Sequence, residues 1–238
     1  MKIVKLENVV YSAPYNRSQL TVNKNCGINL KADDEVIVKD VTLTDAACAG
    51  TRYNAIEIGL NNETKAYRPR RITVDNVRIE GTITNNGILI FDCADNAVIT
   101  IKNCYFKQVS NAIRFSNYSM SKNVTINIED CVCDGWEDPA GSAGIWAGFL
   151  LLEDYRADHT KGEDFGKCFG KETGLKINIK NLTMPDGTVY AGGTDTFGLQ
   201  PDHYDRQVII GCLDNRADPS DYLRSYNEDE WPVINVTA

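Results

Sequence analysis

Acidic side chains that could act in pairs are concentrated in one long connection of the sequence. The segment 149–174 contains four carboxylates that could take part in catalysis, Asp154, Asp158, Glu163 and Asp164. Hydrolysis of a glycosidic bond needs two carboxyl groups about 5 to 9.5 Å apart, one on each side of the bond. These residues could supply such a pair, but carboxylates are also common in solvated loops. We therefore assign no catalytic residue and favour a function without enzymatic activity.

A second set of side chains could bind a ligand or a partner protein. Aromatic and basic residues follow each other in the connection 60–71, others lie in 149–174, and a third group lies on one predicted short strand. The members of this candidate binding surface are Tyr67, Arg68, Arg70, Arg71, Tyr155, His159, Glu57, Arg114 and Trp146. Trp and Arg are enriched at protein interfaces, and an aromatic face beside a carboxylate also suits a sugar. Solvated loops of balanced charge are the simpler interpretation of the two connections.

Composition excludes several other functions. The 238 residues carry a formal net charge of −8, whereas proteins that bind nucleic acid need a dense basic stripe, so we expect no nucleic-acid partner. The longest apolar stretch is far shorter than the roughly 20 residues of a membrane-spanning helix, and no signal-peptide core follows Met1. We expect a chain made in the host cytoplasm, without a membrane partner.

The cysteines indicate neither a disulfide framework nor a metal site. Eight of them are spread through a chain that is large enough to build its own core. Cys131 and Cys133 are separated by one residue, which is one fewer than in a zinc knuckle, and neither histidine lies near a second such pair. The sequence therefore predicts reduced thiols, no metal and no cofactor.

The elements that must position these residues are set by an internal repeat. One eight-residue template fits six segments, 4–11, 36–43, 72–79, 99–106, 126–133 and 177–184. Apolar residues fill positions one, three, six and eight, so alternation with a period of two shifts by one residue in the middle. The fifth position is always Asn or Asp: Asn8, Asp40, Asn76, Asn103, Asp130 and Asn181. These residue types tolerate a left-handed bend, so each copy predicts two short strands joined at that residue.

A shorter pattern predicts a third strand in each repeat. It consists of a small or polar residue, an Ala or Gly, an Ile, a variable residue and an apolar residue in most copies, and it covers 26–30, 54–58, 86–90, 111–115 and 143–147. Residues inserted between successive bends fall in the connections and not in the strands. Insertions confined to loops are typical of solenoid proteins.

Three short strands in each coil, a near-constant bend and a ladder of Asn and Asp resemble the right-handed parallel β-helix of the pectate-lyase-like superfamily. The resemblance covers about residues 3–190 and implies an all-β solenoid of six to seven coils. Members that act on polysaccharides hold the sugar chain beside one sheet. The Asn-Thr-Asp and Gly-His-Gly signatures of the polygalacturonase-like branch are absent from this sequence, and so are the stacked aspartates that a calcium-dependent lyase needs.

Stacked coils would bring equal template positions together. Positions one and three then form β-branched stripes in a filled core, and Cys104 lies next to Cys131 as a pair of free thiols. Position four alternates in sign along the stack, as Glu7, Lys39, Asp75, Lys102, Glu129 and Lys180. Alternation avoids repulsion between neighbouring like charges, so we interpret it as a device that sets the register.

The ends of such a stack need to be covered. The first template copy begins at Val4, which leaves no room for a capping helix, so we expect another chain or a second copy to cover this end. We divide the single domain into a β-helix, 1–193, and a C-terminal cap or docking segment, 194–238. β-Helical modules of this kind recur in phage tail spikes, fibres and capsid decorations. The resemblance therefore implies a bacteriophage structural protein in the virion, as a homo-oligomer such as a trimer or docked on other virion proteins, with polysaccharide binding or degradation as the alternative.

Overall fold

A computed structural model describes residues 2–11, 26–44, 54–59, 61–62, 65–117, 119–134, 148–154, 169–193, 196–199, 208–214 and 231–238. The described chain is nearly all-β, as the sequence predicts. Its strands are β1 (Ile3–Tyr11), β2 (Cys26–Leu30), β3 (Glu35–Leu43), β4 (Asn54–Ile58), β5 (Asn61–Asn62), β6 (Lys65–Ala66), β7 (Arg71–Ile90), β8 (Val98–Lys102), β9 (Tyr105–Phe115), β10 (Thr125–Glu129), β11 (Val132–Asp134), β12 (Gly148–Asp154), β13 (Lys176–Lys180), β14 (Phe197–Leu199), β15 (Val208–Asp214) and β16 (Val233–Thr237). One short 3-10 helix, Lys171–Thr173, precedes β13.

Parallel pairing joins fourteen of these strands into one sheet, and β5 and β6 form a separate antiparallel pair. One series of neighbours, which we call the first series, runs β1, β3, β7, β8, β10, β13 and β16. The second series runs β2, β4, β7, β9, β12, β15 and β14. The long strand β7 belongs to both, because its two halves pair with different neighbours. We call each strand of a series a rung. Successive parallel rungs are compatible with a β-helix.

The register in the first series places equal template positions side by side. Ile72 of β7 lies between Val36 and Ile99, and the pairing continues through Ile126 and Ile177. The side chains at these positions are almost completely buried in the inner rungs. β-Branched residues fit this pattern because they pack well against their own kind on a pleated surface. The core is thus a stack of similar apolar side chains.

The C-terminal segment adds a rung that the template alignment does not include. Ile234 of β16 pairs with Ile177, and Val236 pairs with Ile179, so residues 234–237 continue positions one to four of the template. The outward asparagines join in this stacking, because the amide of Asn235 donates to Asn178 at 2.8 Å. The strand at the end of the chain, β16, therefore covers one edge of β13.

Charges at position four alternate across the paired strands. Glu7 pairs with Lys39, Lys39 with Asp75, and Asp75 with Lys102, whose Nζ lies 3.5 Å from an Asp75 carboxylate oxygen. The alternation continues through Glu129 and Lys180. Exposed pairs of this kind contribute only a few tenths of a kcal/mol each. If a strand paired with the next rung but one, the apolar stripes would stay intact but like charges would lie side by side. The charges at position four therefore favour the observed order of rungs.

Candidate functional site

The six Asn and Asp residues of the template bend the chain, and the side chains of Asp40, Asn76, Asn103, Asp130 and Asn181 bond to a neighbouring rung. All six have a positive φ, between 51° and 57°. The Asn76 amide donates to Asp40 at 2.7 Å, and the Asn181 amide donates to Asp130 at 2.7 Å. Asn103 departs from the pattern, because it donates to Asp75, one residue before the bend of the neighbouring rung. Since their side chains bond along the stack, these residues hold strands together.

A second bend series lies seven residues before the first and was missed in the sequence. Asn96 and Asn123 have φ of 59° and 57°, and Gly174 has a φ of 71°. The Asn123 amide donates to Asn96 at 3.2 Å. A Cβ on Gly174 would lie 2.4 Å from Asn123 Oδ1, so only glycine fits beside that side chain. The constant spacing of seven residues between each of these positions and Asn103, Asp130 or Asn181 is the signal that could have revealed the series.

A buried ladder of asparagines runs along the start of the second series. The amide of Asn111 donates to Asn86 at 3.1 Å, Asn86 donates to Asn54 at 2.6 Å, and Asn54 donates to Glu57 at 2.7 Å. Asn29 donates to the other carboxylate oxygen of Glu57 at 3.3 Å. Asn54 and Asn86 are each both donor and acceptor, which satisfies polar groups that would otherwise be costly to bury. The ladder stops at Asn111, whose Oδ1 is buried without a hydrogen-bond partner.

Glu57 is therefore not part of an open surface. The sequence predicts it as part of a candidate binding surface, but only 5% of the residue is exposed. Asn29 and Leu89, which pair with Glu57 on the neighbouring strands, are buried as well. The burial pattern of the whole strand, in which every residue is covered, explains the error: both faces of β4 pack against protein, so alternation no longer identifies an outer face.

The residues that pair with the fourth copy of the short strand are 148–152, since Gly148 pairs with Asn111 and Leu151 with Arg114. The predicted fifth copy, 143–147, lies outside the described residues. The sequence from 149 to 152 is Phe-Leu-Leu-Leu, and all four residues are buried. A continuous apolar run has no period of two, which is why the alternating segment before it matched the pattern better. Trp146 lies outside the described residues, and Arg114 is half-buried beside the buried Leu151.

Arg68, a residue of the predicted binding surface, makes several contacts within its own chain. Its guanidinium donates to the carbonyl oxygen of Cys93 at 3.1 Å and to Ser121 Oγ at 2.9 Å. The same group lies 3.8 Å from a carboxylate oxygen of Asp92, whose side chain is 0% exposed, whereas that of Arg68 is 38% exposed. Arg68 thus links its own loop between rungs to the two loops that follow, which contain Asp92 and Ser121. We call Arg68, Asp92, Ser119 and Ser121 the Arg68 clamp.

Asp92 is the buried carboxylate of the Arg68 clamp. It accepts hydrogen bonds from the backbone of Cys93 at 3.0 Å, from the backbone of Ser119 at 3.2 Å and from the Ser119 hydroxyl. Burial raises the pKa of Asp92 above its ordinary value, and the bonds from Ser119 and the charge of Arg68 oppose that rise. The clamp therefore supplies most of what a buried carboxylate needs in order to remain charged.

Of the other candidate residues in the connection 60–71, Arg70 and Arg71 lie nearer the surface. Arg71 is exposed and bonds to Glu35 at 3.2 Å, which raises the pKa of the guanidinium further. Arg70 is exposed, and Tyr67 is half-buried with the Lys31 ammonium 5.9 Å from its ring centroid. The structure thus turns Arg68 inward and Arg70 outward. Tyr155 and His159, the other predicted members of this surface, lie outside the described residues.

A surface cluster that the sequence did not indicate lies just after the template bends. The Arg78 guanidinium stacks on the ring of Tyr105 at 3.8 Å, and the Tyr105 hydroxyl donates to Asp134 at 2.5 Å. Lys107 lies 3.5 Å from the same carboxylate. Bonding to Asp134 raises the pKa of Tyr105, and the same bond lowers the pKa of Asp134. We call Arg78, Tyr105, Lys107 and Asp134 the Tyr105 cluster, and its aromatic and charged groups suit contact with a polar partner.

Cys104 and Cys131 are buried free thiols at equal positions of neighbouring rungs, as the template predicts. A hydrogen bond with Cys104 and burial together raise the pKa of Cys131 well above that of an ordinary thiol. Burial also raises the pKa of Cys93. Since the thiolate is the reactive form, these cysteines behave as small apolar residues of the core.

The described part of the chain contains no group of three or more His, Cys, Asp or Glu side chains arranged to hold a metal ion. No helix within the described ranges has the length and apolar character needed to cross a membrane. Comparison with protein-family models, with curated proteins and with solved structures gives no match for this chain.

Proposed function

We propose that this chain is a non-enzymatic structural protein of a virion, such as a capsid decoration, head-fibre or spike module of a bacteriophage. In this proposal the parallel rungs wind into a right-handed β-helix of about six to seven coils, as in the pectate-lyase-like superfamily. The module assembles through its ends and its C-terminal segment, either with further copies or with other virion proteins.

Many polar side chains bond within the chain itself, which supports a structural role. Stacked asparagines bond between rungs, the charges at position four alternate, and Arg68 and Glu57 bond to their own chain. A filled, β-branched core supports the same conclusion, because stacked side chains of this kind make a rigid rod. Candidate residues that are engaged internally are not free to bind a substrate.

The single observation that carries the proposal is the open first rung. β1 pairs with β3, and the core positions Val4 and Leu6 are only half-buried, whereas their equivalents on the inner rungs are buried. Ile3 and Val10 are 46% and 70% exposed. An exposed apolar edge strand pairs readily with another chain, so a stable protein needs it to be covered.

Particle composition tests the proposal directly. Virions banded in a density gradient should contain this chain in a fixed copy number relative to the shell protein, measured by quantitative mass spectrometry of tryptic peptides. A host protein of similar size serves as the marker of free, unassembled material. Recovery of the chain only in the free fraction, in parallel with that marker, would contradict a virion role.

The Tyr105 cluster favours polysaccharide binding as a second candidate function. Arg78, Lys107 and Asp134 surround a half-buried aromatic ring, and such groups can donate to and accept from sugar hydroxyls. If this function is correct, the wild type should retain a specific glycan on an array and Tyr105→Ala should weaken that binding at least about tenfold. Lys176→Ala, on the distant strand β13, serves as the matched control. Equal binding by Tyr105→Ala would exclude the cluster as the site.

A further inference from the structure

The two ends of the first series differ in what lies beside them within the described residues. At the C-terminal end, Val189 bridges back to Thr183 in an antiparallel hairpin. Tyr190 and Trp231 pack against the core there, and Gly192 lies close to Val236, since a Cβ on that glycine would be 3.7 Å from the valine Cβ. The last strand, β16, nevertheless shows the same alternation of exposed and half-buried residues as the straight part of β1. At the N-terminal end, β1 pairs with β3, and among the described residues no strand pairs with its other edge, which we call the open edge of β1.

Backbone geometry identifies which groups of β1 face outward along the stack. The carbonyl of Lys2 accepts from Asp34 and Glu35, so the backbone groups of the even-numbered residues face β3. In a parallel strand successive residues alternate between the two edges, so the N–H and C=O groups of Lys5 and Glu7 face the open edge. The side chains of these two residues are exposed on one outer face. The straight part of β1 thus offers both hydrogen-bonding groups and charges to a partner strand.

We propose that the open edge of β1 pairs with β1 of a second copy of the same chain in an antiparallel, two-fold arrangement. This inference rests on the proposed function and names the partner at one end of the module. A two-fold contact uses the same surface on both copies, so it closes as a dimer and does not continue as a fibre. The C-terminal ends of the two copies then lie on opposite sides of the dimer.

The charges of β1 select one register for this pairing. Only odd-numbered residues direct backbone groups to the open edge, so Lys5 lies opposite Ile3, Lys5 or Glu7 of the second copy, and opposite Ile3 it forms no charge pair. With Lys5 opposite Glu7, two opposite-charge pairs form and Leu6 lies beside Leu6 on the core side. With Lys5 opposite Lys5, like charges meet directly, which is unfavourable for a cross-strand pair. The self-complementary register is therefore Lys5 with Glu7.

Charge reversal at these two positions tests the pairing. Lys5→Glu places four carboxylates at the contact, and Glu7→Lys places four ammonium groups there. Each variant turns two attractive pairs into two repulsive ones, so each should weaken dimerisation on the order of 30-fold at low salt. The double variant Lys5→Glu/Glu7→Lys should restore the dimer. An equimolar mixture of the two single variants should form a heterodimer, since each then faces opposite charges.

Light scattering over a range of concentrations measures the outcome. The wild type, the double variant and the mixture should approach about 53 kDa, which is twice the 26.5 kDa of the chain, and each single variant should approach 26.5 kDa at the same concentration. Lys176→Glu is the control for Lys5→Glu, because it makes the same change in net charge on β13. Its neighbours Thr125 and Val233 carry no charge, so this variant should leave the dimer unchanged. Formation of the heterodimer also shows that both single variants are folded.

The results that would overturn the pairing are separate from those that would overturn the virion role. An oligomer that is unaffected by both single reversals, or is not restored in the double variant and the mixture, excludes this contact and leaves the particle-composition test unchanged. A wild type that is monomeric at every concentration also excludes the dimer. Absence of the chain from banded particles, with the dimer intact, excludes the virion role and retains the β1 contact.

Discussion

Replacement of Arg68 by alanine should destabilise the protein far more than is normal for a surface arginine. The variant loses two hydrogen bonds, to the Cys93 carbonyl and to Ser121, and leaves the fully buried carboxylate of Asp92 without its cation. Breaking a buried ion pair costs about 3 to 5 kcal/mol, but Arg68 is partly exposed and Asp92 keeps its bonds from Cys93 and Ser119. After this discount for solvent screening we expect a loss of about 2 to 3 kcal/mol in the free energy of unfolding.

A double-mutant cycle with Asp92→Asn separates the charge from the hydrogen bonds. When Asp92 is neutral, removal of Arg68 no longer leaves a buried charge, so Arg68→Ala should then cost about 1 to 2 kcal/mol. Arg70→Ala is the matched control, because Arg70 belongs to the same predicted binding set but is exposed, and it should change stability by less than about 0.5 kcal/mol. Unfolding in urea, followed by circular dichroism, measures all four variants. A cost for Arg68→Ala as small as that for Arg70→Ala, or strict additivity with Asp92→Asn, would refute the clamp.

The remaining predictions concern pH, the core, the asparagine ladder and the thiols. The pKa of Asp92 is raised in the folded protein, so ionisation of Asp92 has no effect on stability below the unfolded pKa near 4 and destabilises the folded protein as pH rises through the folded pKa. The free energy of unfolding of Asp92→Asn, relative to that of the wild type, should therefore increase with pH from about 4. Parallel pH profiles of the two proteins would contradict this. Ile101→Ala in the buried stack should cost about 3 kcal/mol in urea unfolding, against less than about 1 kcal/mol for the half-buried Ile37→Ala, and equal costs would contradict the assigned inner face. Gly148→Asn should extend the ladder by donating to Asn111 Oδ1, and its free energy of unfolding should exceed that of Gly148→Ala by about 1 kcal/mol. Gly148→Ala is the control, because it measures the entropic effect of replacing glycine without adding an amide. Equal stability of the two variants would show that the ladder ends for another reason. In the folded protein a thiol reagent should titrate at most four of the eight cysteines, because Cys93, Cys104, Cys131 and Cys133 are buried, and rapid reaction of more than four would contradict their burial.

The parallel all-β fold could be predicted because its strands repeat one template. Identical side-chain types at equal positions are what in-register parallel stacking requires, so the alignment of 36–43 with 72–79 also gives the pairing of Val38 with Val74. Insertions do not disturb this inference, since they lie between strands. The alternating charges support the same register from a second, independent property of the sequence.

Sequence periodicity failed where both faces of a strand are covered. Glu57 was predicted to lie on a binding surface, and the short pattern was placed at 143–147 although residues 148–152 pair with β9, for this same reason. Alternation reports which face meets solvent, and it carries no information on a strand that has no such face. The buried asparagine ladder ending at Glu57 was missed because Asn54, Asn86 and Asn111 were counted only as the first residue of a short pattern.

The candidate site could be predicted only in part, because it depends on contacts between distant connections. Arg68 was predicted as part of a binding surface, and the sequence cannot show that it meets Asp92 and Ser121, which lie in two later connections. Tyr105 and Asp134 are 29 residues apart and meet through the stacking of rungs. Side chains that meet across rungs are visible only once the register is known.

Residue-resolved amide hydrogen exchange of β1, measured by NMR at a dilute and a concentrated condition, tests most directly whether the first strand is the assembly contact. The amides of Val4 and Leu6 face β3 and should be protected at both concentrations. The amides of Lys5 and Glu7 face the open edge, so they should exchange rapidly in the dilute sample and become protected in the concentrated one. Exchange of the Lys5 and Glu7 amides at the same rate in both samples would contradict the pairing of β1 with a second copy.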